Sequence, residues 1–171
     1  RVVVIGAGGL GHIGIQVLKA ISPAELIVVD RNPQALKLAE AIGADHGVIA
    51  DGTQIEQVLD LTGGHGAEVV VDFVGEGGAT GEGVRMLRRH GDYHVVGYGE
   101  NINVPTIDII STEINFIGNL VGSYNDLCDL MALAARGAVN LHTQKYRLDE
   151  FQTAIDDLDA GNIRGRAILT P

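Results

Sequence analysis

The sequence predicts an α/β fold built on a doubly wound parallel sheet with helices on both faces. Short apolar runs alternate along the chain with segments of helical periodicity, a pattern typical of parallel strands joined by crossover helices. The first apolar run, at residues 1–5, continues without a break into a glycine-rich turn. Apolar residues make up 46% of the 171 residues, which is enough for one sizeable core. We therefore expect one globular α/β unit.

The first half of the chain predicts repeated strand–helix units with recognisable ends. Asn32 supplies a helix cap and Pro33 a first turn, and Gly43 ends that helix. Gly75 closes the strongest apolar run of the chain. The predicted strands are residues 1–5, 26–29, 46–49 (a weak one) and 68–74, and the predicted helices are residues 12–19, 33–42 and 53–61.

The second half continues the alternation and then changes character after about Val139. The helix predicted at residues 149–159 has one apolar face and one acidic, solvated face. We therefore expect a domain at residues 1–138, and a strand–helix–strand segment at residues 139–171 that forms the edge of a second module. The predicted strands are residues 93–96, 114–117, 145–148 and 166–169, and the predicted helices are residues 79–89, 125–136 and 149–159.

The glycine-rich turn after the first strand predicts a phosphate site. Gly6 permits the sharp turn, Gly8 lets the main chain approach an anion, and Gly11 lets the next helix lie close to the strand. The start of that helix offers unpaired N–H groups and the positive end of its dipole. The spacing predicts a dinucleotide pyrophosphate here, although a purely structural glycine turn is the alternative.

A carboxylate at the end of the second strand indicates which dinucleotide binds. Asp30 lies about 20 positions beyond Gly11, the distance expected of a ribose-binding acid. A carboxylate accepts hydrogen bonds from ribose hydroxyls and repels a 2′-phosphate, so NAD is favoured over NADP. Arg31 either lies over the adenine face as a solvated residue or pairs with the 2′-phosphate of NADP.

The carboxyl ends of the later strands predict the rest of the site. Ligands of open parallel sheets lie beyond these ends, so the residues there are expected to line one crevice. For Phe73 and Val74, packing in the core is an equally good explanation. The candidates are Phe73, Val74, Gly97, Tyr98, Leu120 and Val121.

Charge and composition exclude several classes of function. The net charge of −10 argues against nucleic acid or an anionic membrane as a partner. No charged leader and no membrane-spanning apolar run is seen, so we expect a cytoplasmic protein. The single cysteine, Cys128, excludes an internal disulfide and a cysteine-rich zinc site, and we expect it to be packed or inert. The six histidines are scattered without paired spacing.

Five motifs in order resemble the coenzyme-binding half of the zinc-containing, medium-chain alcohol dehydrogenases. The resemblance covers essentially the whole chain and implies a Rossmann-type, three-layer fold. The motifs are residues 6–14 at the turn, 42–46, 61–64 before 72–75, 96–99 with 120–122, and 161–169 at the end.

The resemblance also implies roles for individual residues. Gly8, Gly9 and Leu10 would approach the pyrophosphate, and Asp30 would hold the adenosine ribose. Phe73 and Val74 would flank the adenosine, and Tyr98, Leu120 and Val121 would lie near the nicotinamide. Arg166 would reach the cofactor phosphates from the returning C-terminal segment; the alternative is a surface arginine before an edge strand. Some relatives carry a lysine shortly after the ribose aspartate, where this chain has Ala35 and Leu36.

The implied parent enzyme transfers hydride between NAD and a primary or secondary alcohol, aldehyde or ketone. Its catalytic zinc is expected only in an N-terminal domain that precedes residue 1, because one cysteine cannot supply the ligands. Residues 114–117 are expected to pair with a second copy in a dimer or tetramer. The alternatives are a zinc-free quinone or enoyl reductase, which Asp30 disfavours, and a non-catalytic module that binds NAD(H).

Overall fold

The computed structural model describes all residues from Arg1 to Pro171, and its main sheet has six parallel strands in the order β3-β2-β1-β4-β5-β6. The order reverses between β1 and β4, which makes the carboxyl ends of these two strands the switch point where ligands of such sheets bind. The strands are β1 (Val2–Ile5), β2 (Leu26–Asp30), β3 (His46–Ile49), β4 (Ala67–Asp72), β5 (Leu87–Val95) and β6 (Asn115–Gly118).

Helices cover both faces of the sheet, and each face has its own core. Alternate residues of β1 point to opposite faces. Val4 therefore packs with the helices that follow β1 and β2, and Val3 packs with the helices that follow β3 and β4. Ile15 and Ala39 belong to the core that contains Val4, and Val58 and Met86 belong to the core that contains Val3. The predicted three-layer fold is therefore confirmed. The helices are α1 (Gly11–Ile21), α2 (Pro33–Ala41), α3 (Gln54–Leu61), α4 (Ala79–Met86), α5 (Thr106–Thr112), α6 (Tyr124–Ala135) and α7 (Phe151–Asp159).

The last part of the chain, residues 139–171, contains a second, smaller sheet and is called the C-terminal unit below. Strands β7 (Thr143–Arg147) and β8 (Arg166–Thr170) pair in parallel as a two-stranded sheet, with α7 between them in the sequence. Gln16 of α1 attaches this unit to the main sheet, because its Oε1 accepts a hydrogen bond from the N–H of Asn140 and its Nε2 donates to the Asn140 carbonyl oxygen. None of the helices is long and apolar enough to cross a membrane.

Three local predictions differ from the structure. The helix predicted at residues 79–89 ends at Met86, because the following residues join the sheet, with Leu87 opposite Ala67 of β4. Helix α5 was not predicted; it is short and buries none of its residues. Cys128 is exposed on α6 rather than packed.

Candidate dinucleotide-binding site

The fold requires glycine at two positions of the turn. Gly6 has a φ of +92°, a left-handed conformation that side chains with a Cβ rarely adopt. A Cβ on Gly11 would lie 2.8 Å from the carbonyl carbon of Gly6, and closer still to its oxygen. The chain therefore turns from β1 into α1 in a space that admits no side chain at either position.

The intervening residues present free hydrogen-bond donors. A Cβ on Gly8 would meet no atom within 4 Å, so the main chain is open to the outside at this position. The backbone N–H groups of Gly8, Gly9 and Leu10 donate no hydrogen bond within the chain. Helix α1 begins at Gly11 and has no acidic residue in its first turn. An anion placed here would accept several N–H bonds at the positive end of a helix.

Asp30 is held beside the turn by backbone N–H groups. Its Oδ2 accepts from the N–H of Ala7 over 2.7 Å, and its Oδ1 accepts from the N–H of Asn32 over 2.7 Å. A carboxylate has about four acceptor positions, so both oxygens keep capacity for further donors such as hydroxyl groups. The carboxylate is therefore fixed in place and still able to bind a diol.

A cavity of about 210 Å³ lies next to Asp30 at the switch point of the sheet. Its lining combines apolar side chains, such as Ile5, Val29 and Met86, with the charged groups of Asp30, Arg31 and two glutamates. Such a mixture suits an adenine ring with an attached ribose. The lining residues are Ile5, Gly6, Val29, Asp30, Arg31, Ala50, Val74, Glu76, Gly77, Ala79, Glu82 and Met86.

Arg31 already has partners on the cavity wall. Its Nη2 donates to the carbonyl oxygen of Gly77 over 2.9 Å. Glu100 accepts from the N–H of Gly78 over 3.0 Å. Backbone hydrogen bonds from Gly78 and Gly77 lower the pKa of Glu100, and the charge of Arg31 adds to this. The guanidinium thus already donates to a backbone carbonyl, and the charge of Glu100 partly offsets its attraction for a 2′-phosphate.

The two predicted adenosine contacts lie on opposite sides of the sheet end. Val74 lines the cavity with Asp30. Phe73 instead packs beneath α1, where a Cβ on Gly14 would lie 2.6 Å from its Cζ. Neighbouring residues leaving a strand point to opposite faces, which accounts for the separation. Gly14 is thus a packing glycine that leaves room for the phenyl ring.

A buried carboxylate shapes the loop that carries Val74. Asp72 is fully buried at the end of β4. Its Oδ1 accepts from the N–H groups of Val74 and Gly75 over 2.8 and 2.9 Å. Its Oδ2 accepts from the hydroxyls of Tyr93 and Thr80 over 2.8 and 3.1 Å. Burial, followed by the charge of Asp72, raises the pKa of Tyr93, so the phenol remains a donor.

The predicted nicotinamide contacts are exposed at the ends of β5 and β6. Tyr98, Leu120 and Val121 are 93%, 91% and 102% exposed. Gly97 packs against the β4 exit loop, since a Cβ there would lie 2.5 Å from the carbonyl carbon of Val74. Val121 has a φ of +50°, which is rare for a β-branched residue and is often found where function constrains the backbone.

The structure brings Arg166 to the glycine-rich turn. Its Nε lies 3.0 Å from the position that a Cβ on Gly9 would occupy. The backbone N–H of Arg166 donates to the carbonyl oxygen of His142 over 2.9 Å, which anchors the start of β8. A positive side chain from the far end of the sequence therefore lies directly beside the free N–H groups.

Some cavity residues were missed at the sequence level. Ala50 follows β3, and Glu76 and Gly77 follow β4, so the rule that sites lie at carboxyl ends of strands could have found them. Glu82 and Met86 reach the cavity from α4, and no local pattern indicates this. The chain holds no group of three or more histidine, cysteine, aspartate or glutamate residues that could bind a metal.

Curated relatives match the chain over nearly its whole length. The chain is 36% identical over 173 residues to an NAD-dependent alcohol dehydrogenase of Sulfurisphaera tokodaii, which covers 99% of the chain and 50% of that protein. It is 31% identical to a D-arabinose 1-dehydrogenase (NADP(+)) of Saccharolobus solfataricus, and this match covers 99% of the chain and 49% of that protein. The chain thus spans about half the length of the curated relatives it matches.

A solved structure and a family model agree with these relatives. The alcohol dehydrogenase of the hyperthermophilic archaeon Aeropyrum pernix superposes with a TM-score of 0.96 at 42% identity, covering 99% of this chain and 49% of that one. The model of the family described as zinc-binding dehydrogenase matches residues 9–136. The chain therefore belongs to the zinc-binding dehydrogenase family.

Proposed function

We propose that the chain binds NAD(H) across the switch point of its sheet. The observation that carries the proposal is the set of unpaired N–H groups at Gly8, Gly9 and Leu10 beside the fixed carboxylate of Asp30. The pyrophosphate binds over the turn with Arg166, and the ribose hydroxyls donate to Asp30. The adenine enters the 210 Å³ cavity beside Val74.

The nicotinamide end extends toward β5 and β6. Tyr98, Leu120 and Val121 are the exposed apolar side chains at these strand ends, and a planar ring can cover them. Gly97 supports this edge through its backbone packing. The bound coenzyme supplies the hydride acceptor or donor, and the residues of this chain bind and orient it.

We further propose that the chain is the coenzyme-binding half of an NAD-dependent, zinc-dependent alcohol dehydrogenase. The names of the relatives support this, and the substrate would be a primary or secondary alcohol or the matching carbonyl compound. The residues of this chain do not fit a zinc site, since no suitable ligand group exists and Cys128 is isolated on α6. The zinc ligands are therefore assigned to the remaining half of the enzyme.

The geometry at Asp30 also weighs against the zinc-free reductase alternative, a class that more usually prefers NADPH. A 2′-phosphate bound there would lie beside a carboxylate and would meet an arginine already bonded to Gly77. The relative that carries NADP(+) in its name shows that the family includes both coenzymes. The preference therefore depends on these local charges, and it can be measured.

The change Asp30→Asn tests the ribose assignment. We expect the Kd for NADH to rise by about tenfold or more, because a charge-assisted hydrogen bond contributes roughly 1.5–3 kcal/mol. We expect the Kd for NADPH to change less, so the preference for NADH over NADPH should become smaller. Fluorescence titration of both coenzymes measures this, and Asp129→Asn, an exposed change on α6, is the control. An unchanged Kd for NADH in Asp30→Asn would refute the assignment.

We also propose that two copies pair through β6 in a dimer or higher oligomer. Strand β6 is one of the two edge strands of the sheet, and it has Ile117 exposed; Ile107 and Ile110 on α5 are exposed as well. An exposed apolar edge invites strand addition, and an inserted lysine blocks it. We expect sedimentation equilibrium to show a dimer for the wild type and a monomer for Ile117→Lys. A wild-type monomer at high concentration would count against this interface.

A further inference from the structure

A buried histidine at the start of α1 joins the glycine-rich turn to the C-terminal unit. His12 is fully buried, and its ring meets that of His142 edge to face, with centroids 5.8 Å apart. Its Nδ1 lies 3.0 Å from the carbonyl oxygen of Gly8, and the N–H of His142 donates to its Nε2 over 3.4 Å. A carbonyl only accepts and an amide N–H only donates, so these partners select the neutral tautomer with hydrogen on Nδ1.

The surroundings of His12 favour this neutral form. Burial lowers the pKa of His12, the hydrogen bond to Gly8 opposes this, and the charges of His142 and Arg166 lower the pKa further. The titratable groups that act on the ring are thus His142 and Arg166, both from the C-terminal unit. Protonated Nε2 would point a hydrogen at the N–H of His142 and lose that bond.

A closed chain of contacts connects His12, through the C-terminal unit, to the phosphate site and back to His12. The carbonyl oxygen of His142 accepts from the N–H of Arg166 over 2.9 Å. The side chain of Arg166 lies against Gly9, and Gly8, the neighbour of Gly9, accepts the Nδ1–H of His12. One turn along α1, Gln16 fixes the same segment through both backbone groups of Asn140.

We infer that His12 is a positioning residue that acts through His142 to hold Arg166 over the glycine-rich turn and so sets the affinity for the coenzyme. The inference rests on the proposed function, in which Arg166 contacts the pyrophosphate. His12 is buried and acts on the coenzyme only through its neighbours. Gln16 strengthens the same attachment.

Two conservative changes separate positioning from simple packing. The oxygen of a glutamine reaches the place of Nε2 and can accept from His142, whereas an asparagine reaches only the place of Nδ1 and can donate only to Gly8. We expect His12→Asn to raise the Kd for NADH by about threefold to tenfold, and His12→Gln to restore most of the affinity. Hydrogen exchange at the amide of His142 should be faster in His12→Asn only.

A double-mutant cycle with Arg166→Ala tests whether the effect passes through that arginine. Arg166→Ala alone should raise the Kd by about tenfold or more, and adding His12→Asn should then change it by less than about 1.5-fold. Arg164→Ala, an exposed change two residues away, is the matched control and should leave the effect of His12→Asn intact. If His12→Asn does not fold, Gln16→Leu replaces it in the same cycle.

The outcomes distinguish this inference from the proposed function. If the wild type binds NADH but the effects of His12→Asn and Arg166→Ala are additive, or asparagine and glutamine behave alike, the positioning role is wrong and NAD binding stands. If the wild type binds no NADH, the proposed function fails and this inference fails with it. Non-additive effects with rescue by glutamine support the positioning role.

Discussion

The change Gly11→Ala is expected to destabilise the chain by about 3 kcal/mol or more, because the added methyl overlaps a backbone carbonyl that cannot move independently. The clash is with Gly6, whose own conformation sets the exit of β1. Either α1 must move away from the strand or the turn must change shape. Chemical denaturation of the purified chain measures the loss, and NADH binding should be abolished with it.

The neighbouring change Gly8→Ala is the matched comparison. A Cβ there meets nothing within 4 Å, and Gly8 does not require a left-handed backbone. The free energy of unfolding should therefore stay within about 0.5 kcal/mol of the wild-type value. Similar losses of stability in the two variants would show that the turn is rigid throughout, and would contradict the separation of packing glycines from a ligand-facing one.

The change Asp72→Ala is expected to destabilise the chain by about 3–5 kcal/mol, since it leaves several buried donors without an acceptor. Tyr93 and Thr80 would lose their shared carboxylate oxygen, and the β4 exit loop would lose two N–H bonds. Asp72→Asn should cost less, because its carbonyl oxygen still accepts from the loop. Asp129→Ala on the surface of α6 is the control for removing an aspartate.

Urea denaturation followed by circular dichroism measures all three variants on one scale. A loss in Asp72→Ala no greater than that in Asp129→Ala would show that the buried network contributes nothing to stability. The raised pKa of Tyr93 provides a second readout, because the phenol should remain protonated at a pH of about 10, where an ordinary tyrosine ionises, while the fold persists.

Features encoded by short-range spacing were predicted from the residues themselves, and those made by long-range contact were not; the place of Arg166 was expected only from the family resemblance. The glycine turn and Asp30 form a local strand–turn–helix–strand unit, so spacing alone indicates them. The end of α4 was misplaced because Leu87 pairs with Ala67, a tertiary contact that overrides the helical pattern. The pairing of His12 with His142 brings together residues that no spacing rule connects.

The sequence does not distinguish the places of the two residues after Asp72. The sequence marked Phe73 and Val74 alike as crevice or core residues, and the structure gives each a different place. The alternation of side chains along a strand predicts that they separate, but it does not say which face carries the cavity. That choice depends on α4 and Asp30, which lie on the same side as Val74.

Isothermal titration of NADH into the wild-type chain and into Gly8→Ala tests the central claim most directly. With the pyrophosphate over the turn, the wild type should bind one NADH per chain, and Gly8→Ala should bind about tenfold more weakly at unchanged stability, because the methyl occupies ligand space. Equal affinity in the two proteins, or no binding by the wild type, would contradict a dinucleotide at this turn.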